Sequence, residues 1–133
     1  MVSDRVGDFI IRLQNAARIG KREVLAPYSA HLARIAKKLK ELGFIAAIDT
    51  KENERGIKKI LVVTLAHDKQ ERVRIHGVKR ISKPGRRLYT SHSAMRRARG
   101  DTGTRLLSTS IGILSDAEAR RNRVGGEELF EIW

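Results

Sequence analysis

Cysteine is missing from the chain altogether, which excludes a disulfide framework, a thiolate metal site and a cysteine nucleophile, and fits a reducing compartment. No stretch approaches the roughly 18 apolar residues that a membrane-spanning helix needs, so no membrane partner is expected. The first residues carry Asp4 and Asp8 and have neither a long apolar core nor a small-residue cleavage pattern, unlike a signal or transit peptide. Aromatic residues make up only 5%, too few for a platform that stacks bases in the manner of an RNA-recognition motif. The sequence also lacks a nucleophile elbow, a P-loop and a zinc-protease helix motif, and its histidines (His31, His67, His76 and His92) have no ligand or triad spacing. The carboxylates Asp116, Glu118, Glu127 and Glu128 have the chemistry to coordinate a metal, but nearby Arg120, Arg121 and Arg123 more readily explain several of them as local charge partners. Neither enzymatic activity nor a metal, cofactor or small-molecule substrate is expected.

What is abundant is positive charge. Against 15 acids stand 28 Lys and Arg, leaving +13 on 133 residues, a field that attracts polyanions and opposes compaction until a partner neutralises it. With 41% apolar residues the chain can still build a core.

Two amphipathic patterns open the chain. Val6, Phe9, Ile10, Leu13 and Ala17 recur at helical spacing, with Ser3 or Asp4 as N-cap and Gly20 beyond the end. Leu32, Ile35, Ala36, Leu39 and Leu42 repeat the pattern over residues 29–42, before the permissive Gly43. Two β-branched runs, 44–49 and 57–65, flank a polar turn and predict a hairpin. A polar interruption at 66–71 suggests a boundary, so the expected architecture is α+β in two small subdomains. Residues 1–66 hold helices with a short sheet, and residues 67–133 are mainly antiparallel β with a short helix. In the second part, 72–76 alternate with period two as a strand, Pro84-Gly85 marks a turn with positive φ at the glycine, and 105–110 and 127–133 read as strands. Between those last two, Ser115 and Glu118 stand in capping-box positions of a helix over 115–123.

Two constellations carry the chemistry. Eight Lys and Arg residues and no acid lie between Lys79 and Arg99, including Lys83, Arg86, Arg87, Arg96 and Arg97. Mixed signs would be expected of a merely solubilising surface, and the arginine fork suits pairs of phosphate oxygens. The other constellation is Ser108-Thr109-Ser110 with Gly112, and later Gly125-Gly126-Glu127. Small hydroxyls and bare backbone suit the 2′-hydroxyls and base edges of RNA, although hydroxyl residues equally often satisfy local turns. Tyr89, after the basic turn, is open to either an RNA role or core packing. Trp133, closing an apolar strand, reads as structural.

Several runs closely resemble the bacterial-type protein-eight family of the small ribosomal subunit: Ser82-Lys83-Pro84-Gly85-Arg86-Arg87-Leu88-Tyr89, Leu107-Ser108-Thr109-Ser110-Ile111-Gly112-Ile113, Glu118-Ala119-Arg120, Val124-Gly125-Gly126-Glu127 and Ile132-Trp133. Asp4, Gln14-Asn15-Ala16, Pro27-Tyr28-Ser29 and the run ending Leu42-Gly43-Phe44-Ile45 extend the resemblance over essentially the whole chain. It implies early binding to the central domain of small-subunit ribosomal RNA, mostly through the C-terminal subdomain. The matching positions are Tyr89, Ser108, Thr109, Ser110, Gly112, Gly126 and Glu127, beside the turn from Lys83 to Arg87. It also implies neighbouring small-subunit proteins as partners and a place on cytoplasmic or organellar ribosomes. A free-standing basic RNA-binding translational regulator is the alternative. Three positions depart from the family pattern: Ile111 where a basic residue is usual, Arg5 where proline is, and Asp101-Thr102-Gly103 where Gly-Leu-Gly is common. Arg96 and Arg97 are expected to supply the phosphate contact that Ile111 gives up.

Overall fold

The computed structural model describes residues 4–52, 55–56, 58–94 and 103–133. Helix α1, Arg5–Ile19, starts where the Asp4 carboxylate accepts the Gly7 N–H at 3.0 Å and stops where Gly20 turns left-handed at φ 80°. Its buried stripe is Phe9, Ile10, Leu13 and Ala16. Strand β1, Glu23–Pro27, points Val24 and Ala26 inward. Helix α2, Ala30–Glu41, is capped by the Ser29 side chain and buries Leu32, Ile35, Ala36 and Leu39. Strands β2, Ile45–Glu52, and β3, Lys59–Leu65, form the predicted antiparallel hairpin, and β1 adds to the other side of β3 to give the order β1-β3-β2. β1 was not among the expected strands, and it closes on Pro27. An edge strand tolerates that proline, since one of its two sides makes no ladder bonds.

The second half forms a five-stranded antiparallel sheet from β4 (Val78–Arg80), β5 (Tyr89–Thr90), β6 (Thr104–Thr109), β7 (Gly112–Ser115) and β8 (Gly126–Ile132). Its path runs β4-β8-β6-β7, and β5 also pairs with β8. Helix α3, Asp116–Asn122, begins with the predicted capping box between Ser115 and Glu118.

Two strand expectations need correction. Residues 72–76 do alternate in burial, with Ile75 buried and Arg72, Arg74 and His76 exposed, but they are not a strand. Their backbone bonds go elsewhere: Arg74 N–H to the Ala66 carbonyl, Asp68 N–H to the Arg72 carbonyl and His76 N–H to the Trp133 carbonyl. Alternation thus records burial without a ladder. The strand expected over 105–110 ends at Thr109, and Ser110 lies in the following turn.

Although the two sheets lie on either side of residue 66, one hydrophobic cluster crosses between them. It joins Phe9 and Leu13 of α1, Ile35 and Leu39 of α2 and Val63 of β3 to Leu106, Ile113, Phe130 and Ile132 of the second sheet. A smaller cluster of Leu107 and Ala119, with Leu114 and Val124, packs α3 on that sheet.

Candidate nucleic-acid interface

Strand register brings the sequence-predicted residues together. Across β5, β8, β6 and β7, one row reads Tyr89, Glu127, Ser108, Ile113, and the next reads Thr90, Gly126, Thr109, Gly112. Residues directly opposite one another share a sheet face. Ile113 is in the main core beside α2, so the face it occupies continues outward through Ser108 and Glu127 to Tyr89, which is 72% exposed. Tyr89 is therefore a surface ring and not part of the core. Gly126 lets β6 come close, because a Cβ there would fall on the Ser108 carbonyl oxygen.

The three hydroxyls are not equivalent. Thr109 Oγ1 donates to the Gly112 carbonyl at 2.7 Å and accepts from the Ile111 N–H at 3.2 Å, which closes the hairpin between β6 and β7. Gly112 follows with φ 122°, a conformation that side chains rarely take. Ser110 and Ile111 form the exposed tip. Neither the Ser108 nor the Ser110 hydroxyl has a partner among the described residues, so both are free to bond outward.

The basic turn stands beside this patch. Lys83 and Arg86 exchange backbone bonds at 3.0 and 2.9 Å around Pro84-Gly85, and both side chains are exposed without an ion pair among the described residues. Gly85 does not adopt the left-handed conformation expected of it. The turn is anchored by Ser82, only 2% exposed, a residue that sequence reasoning carried only as part of a motif. Its hydroxyl donates to Glu127 at 2.5 Å and accepts from the Leu88 N–H at 3.2 Å. Arg87 Nη1 reaches the same carboxylate oxygen of Glu127 at 2.9 Å. Glu127 thus ties the turn to β8 and holds Arg87 over the patch. Arg96 and Arg97 lie outside the described residues.

The other carboxylates considered for a metal are also in ion pairs, but mostly not with the arginines expected. Asp116 does hold Arg120 at 3.3 Å, whereas Glu128 meets Arg105 at 3.4 Å and Glu118 meets Lys38 of α2 at 3.1 Å. Arg121 and Arg123 make no ion pair with a described residue. Lys38 bridges Glu41 and Glu118. Burial works against its charge, but those two hydrogen bonds outweigh it and hold the ammonium above its ordinary 10.5. Among the described residues no three His, Asp or Glu side chains are grouped to hold a metal ion. Nor is any described helix long and apolar enough to cross a membrane.

Free hydroxyls, an exposed aromatic ring and unpaired guanidinium and ammonium groups on one surface can hydrogen-bond sugars, contact bases and neutralise phosphates. The family described as Ribosomal protein S8 matches residues 4–133. The "Small ribosomal subunit protein uS8" of Sorangium cellulosum is 38% identical over 133 residues, covering 100% of both chains. That of Nostoc punctiforme is 39% identical over 132 residues, covering 98% of both. The "Small ribosomal subunit protein uS8c" of Chlorokybus atmophyticus is 38% identical over 133 residues, again covering 100% of both. With the match running from Asp4 to Trp133, the chain belongs to the ribosomal protein S8 family.

Proposed function

We infer that this protein is a structural, non-enzymatic component of the small ribosomal subunit. It binds the central domain of the subunit's ribosomal RNA and supports assembly, and residues 67–133 carry the main RNA surface. The carrying observation is the strand register that gathers Tyr89, Glu127 and Ser108 in one row, next to Gly126, Thr109 and Gly112. In this reading Ser108 and Ser110 bond 2′-hydroxyls or base edges in the shallow groove of an irregular RNA helix, where small donors and acceptors can approach. Tyr89 lies against a sugar or base. Lys83, Arg86 and Arg87 take phosphates and set the register of the protein on the helix. Thr109, Gly112, Gly126 and Glu127 act by holding those groups in place. Family membership and the relatives' names support the ribosomal setting, on ribosomes of the cytoplasm or of an organelle, with other small-subunit proteins as neighbours.

Two measurements test this. The protein should stay with small subunits through washes of moderate salt, and it should bind a central-domain RNA fragment more tightly than a plain duplex. A chain found free of subunits, yet binding RNA, would favour the translational regulator. Equal affinity for fragment and duplex would remove the claim of shape-specific recognition.

A further inference from the structure

Where the start of α1, the start of α2 and the loop after β4 meet, the molecule has a cleft of about 270 Å³. Arg5, His31, Arg80, Ser82, Arg87 and Glu127 are among the residues that line it. Most of its polar groups are committed. Arg80 pairs with Asp4 and also donates to the Ser82 carbonyl at 2.7 Å. Ser82 and Arg87 both hold Glu127. The two acids of the cleft, Asp4 and Glu127, are thus each matched by an arginine. Arg5 and the half-buried His31 ring are left without a partner among the described residues.

The charges around His31 point to what is missing. Burial, then Arg34 one turn along its own helix, hold the imidazole below its ordinary 6.5; Glu127 pulls it up and Arg87 pushes it down again. Arg5, Arg80 and Asp4 line the same cleft, so its three arginines face two carboxylates. An anion between Arg5, His31 and Arg87 would complete the set. Glu127 and Arg87 belong equally to the surface patch, so a backbone strand lying along the row of Tyr89, Glu127 and Ser108 passes the mouth of the cleft.

We propose that this seam is a second RNA contact, a phosphodiester site formed by Arg5, His31 and Arg87 across the two halves of the chain. It rests on the RNA-binding reading above and adds a proton to it. A phosphate beside His31 favours the imidazolium, so the ring titrates at higher pH in the complex than in the free protein. Affinity is then highest where the bound ring is protonated and falls as pH rises through the pKa of the bound form.

The test uses the whole protein and a central-domain RNA fragment, between about pH 5.5 and 8, a window that brackets histidine titration. NMR of the His31 ring should give a higher pKa in the complex. Affinity should fall by up to about tenfold per pH unit, the limit for one proton. His31→Gln should flatten that dependence while melting at the wild-type temperature when free. Arg5→Gln should lower the salt slope by about one phosphate contact. An unchanged His31 titration on binding, or a pH dependence that survives His31→Gln, overturns the site while leaving the main RNA surface intact. If His31→Gln weakens retention on whole subunits but not binding to the fragment, the cleft takes a protein carboxylate and the proposal is wrong. Failure of the wild type to bind RNA at all would sink both readings.

Discussion

Replacing Gly126 by alanine adds one methyl group at the junction of three strands. Gly126 faces Thr109 of β6 on one side and Thr90 of β5 on the other. Its own φ is outside the left-handed region, so conformational strain is not the issue. The new Cβ would overlap the Ser108 carbonyl oxygen and come within 3.1 Å of Thr109 Cγ2. A side chain could rotate away, but a carbonyl in a strand ladder can move only if β6 and β8 part. Overpacking of this kind costs about 1–3 kcal/mol, and a weakened ladder bond adds about 0.5–1.5 kcal/mol. We therefore expect a loss of roughly 1.5–4.5 kcal/mol, summed from those two ranges. Urea unfolding followed by circular dichroism reads this directly, and RNA affinity measured under strongly native conditions reads the displacement of Ser108. If Gly126→Ala unfolds at the wild-type midpoint while losing RNA affinity, the glycine exists for close approach of RNA, and the strand-closure argument is refuted.

Other substitutions separate the remaining roles. Ser110→Ala should weaken binding to the RNA fragment by about 1–3 kcal/mol, the cost of stranding a desolvated partner, with stability within about 0.5 kcal/mol of wild type; wild-type affinity would make the serine turn filler. Thr109→Val should instead cost about 1 kcal/mol of folding stability by opening the turn to Gly112, and a stability unchanged in urea would contradict that. Arg86→Ala should weaken binding to fragment and plain duplex alike and reduce the salt slope by about one unit, whereas a selective loss on one RNA would exclude a plain phosphate contact. At low pH, the Arg80 hydrogen bond holds the Asp4 carboxyl below its ordinary 3.8, against the opposing effect of burial. The stability this gives is complete above that value and is lost as pH falls through the lowered one. Asp4→Asn should flatten that acid limb, and an identical pH profile of the urea midpoint would show that the pair is idle.

Local signals were legible in the sequence wherever one residue type has one dominant use. Asp4, Ser115 and Glu118 cap their helices as their positions suggest, because few other residues can satisfy the first N–H groups of a helix. Burial was legible too, even at 72–76, where the missing ladder was not. A period of two fixes which side chains point inward, but hydrogen-bond partners depend on distant chain, here Ala66 and Trp133. The candidate site follows the same division. Ser108, Tyr89 and Glu127 could be named singly, yet their common row is a property of strand register. The sorting of Thr109 into the turn and of Ser108 and Ser110 outward depends on where one hairpin closes. His31 gave no signal at all, since what distinguishes it is a cleft made by residues more than 50 positions away, such as Arg87 and Glu127.

The position of β8 bears on when, during its own synthesis, the protein becomes competent. Among the described residues β4 and β5 pair with β8 and with no other strand, and β6 needs it on one side. The first sheet, by contrast, is closed by Leu65. As a nascent chain leaves the ribosome at about 5–20 residues per second, the strands of the first sheet can pair once Leu65 is out, although the core beneath them still lacks Leu106, Ile113, Phe130 and Ile132. The later sheet must wait until residues 126–132 have emerged. Until then Tyr89 and Ser108 have no common strand between them, and Ser82 has no Glu127 to anchor the basic turn. An unfinished chain therefore carries its positive charge without the row of Tyr89, Glu127 and Ser108, and that row is set only when the last strand joins.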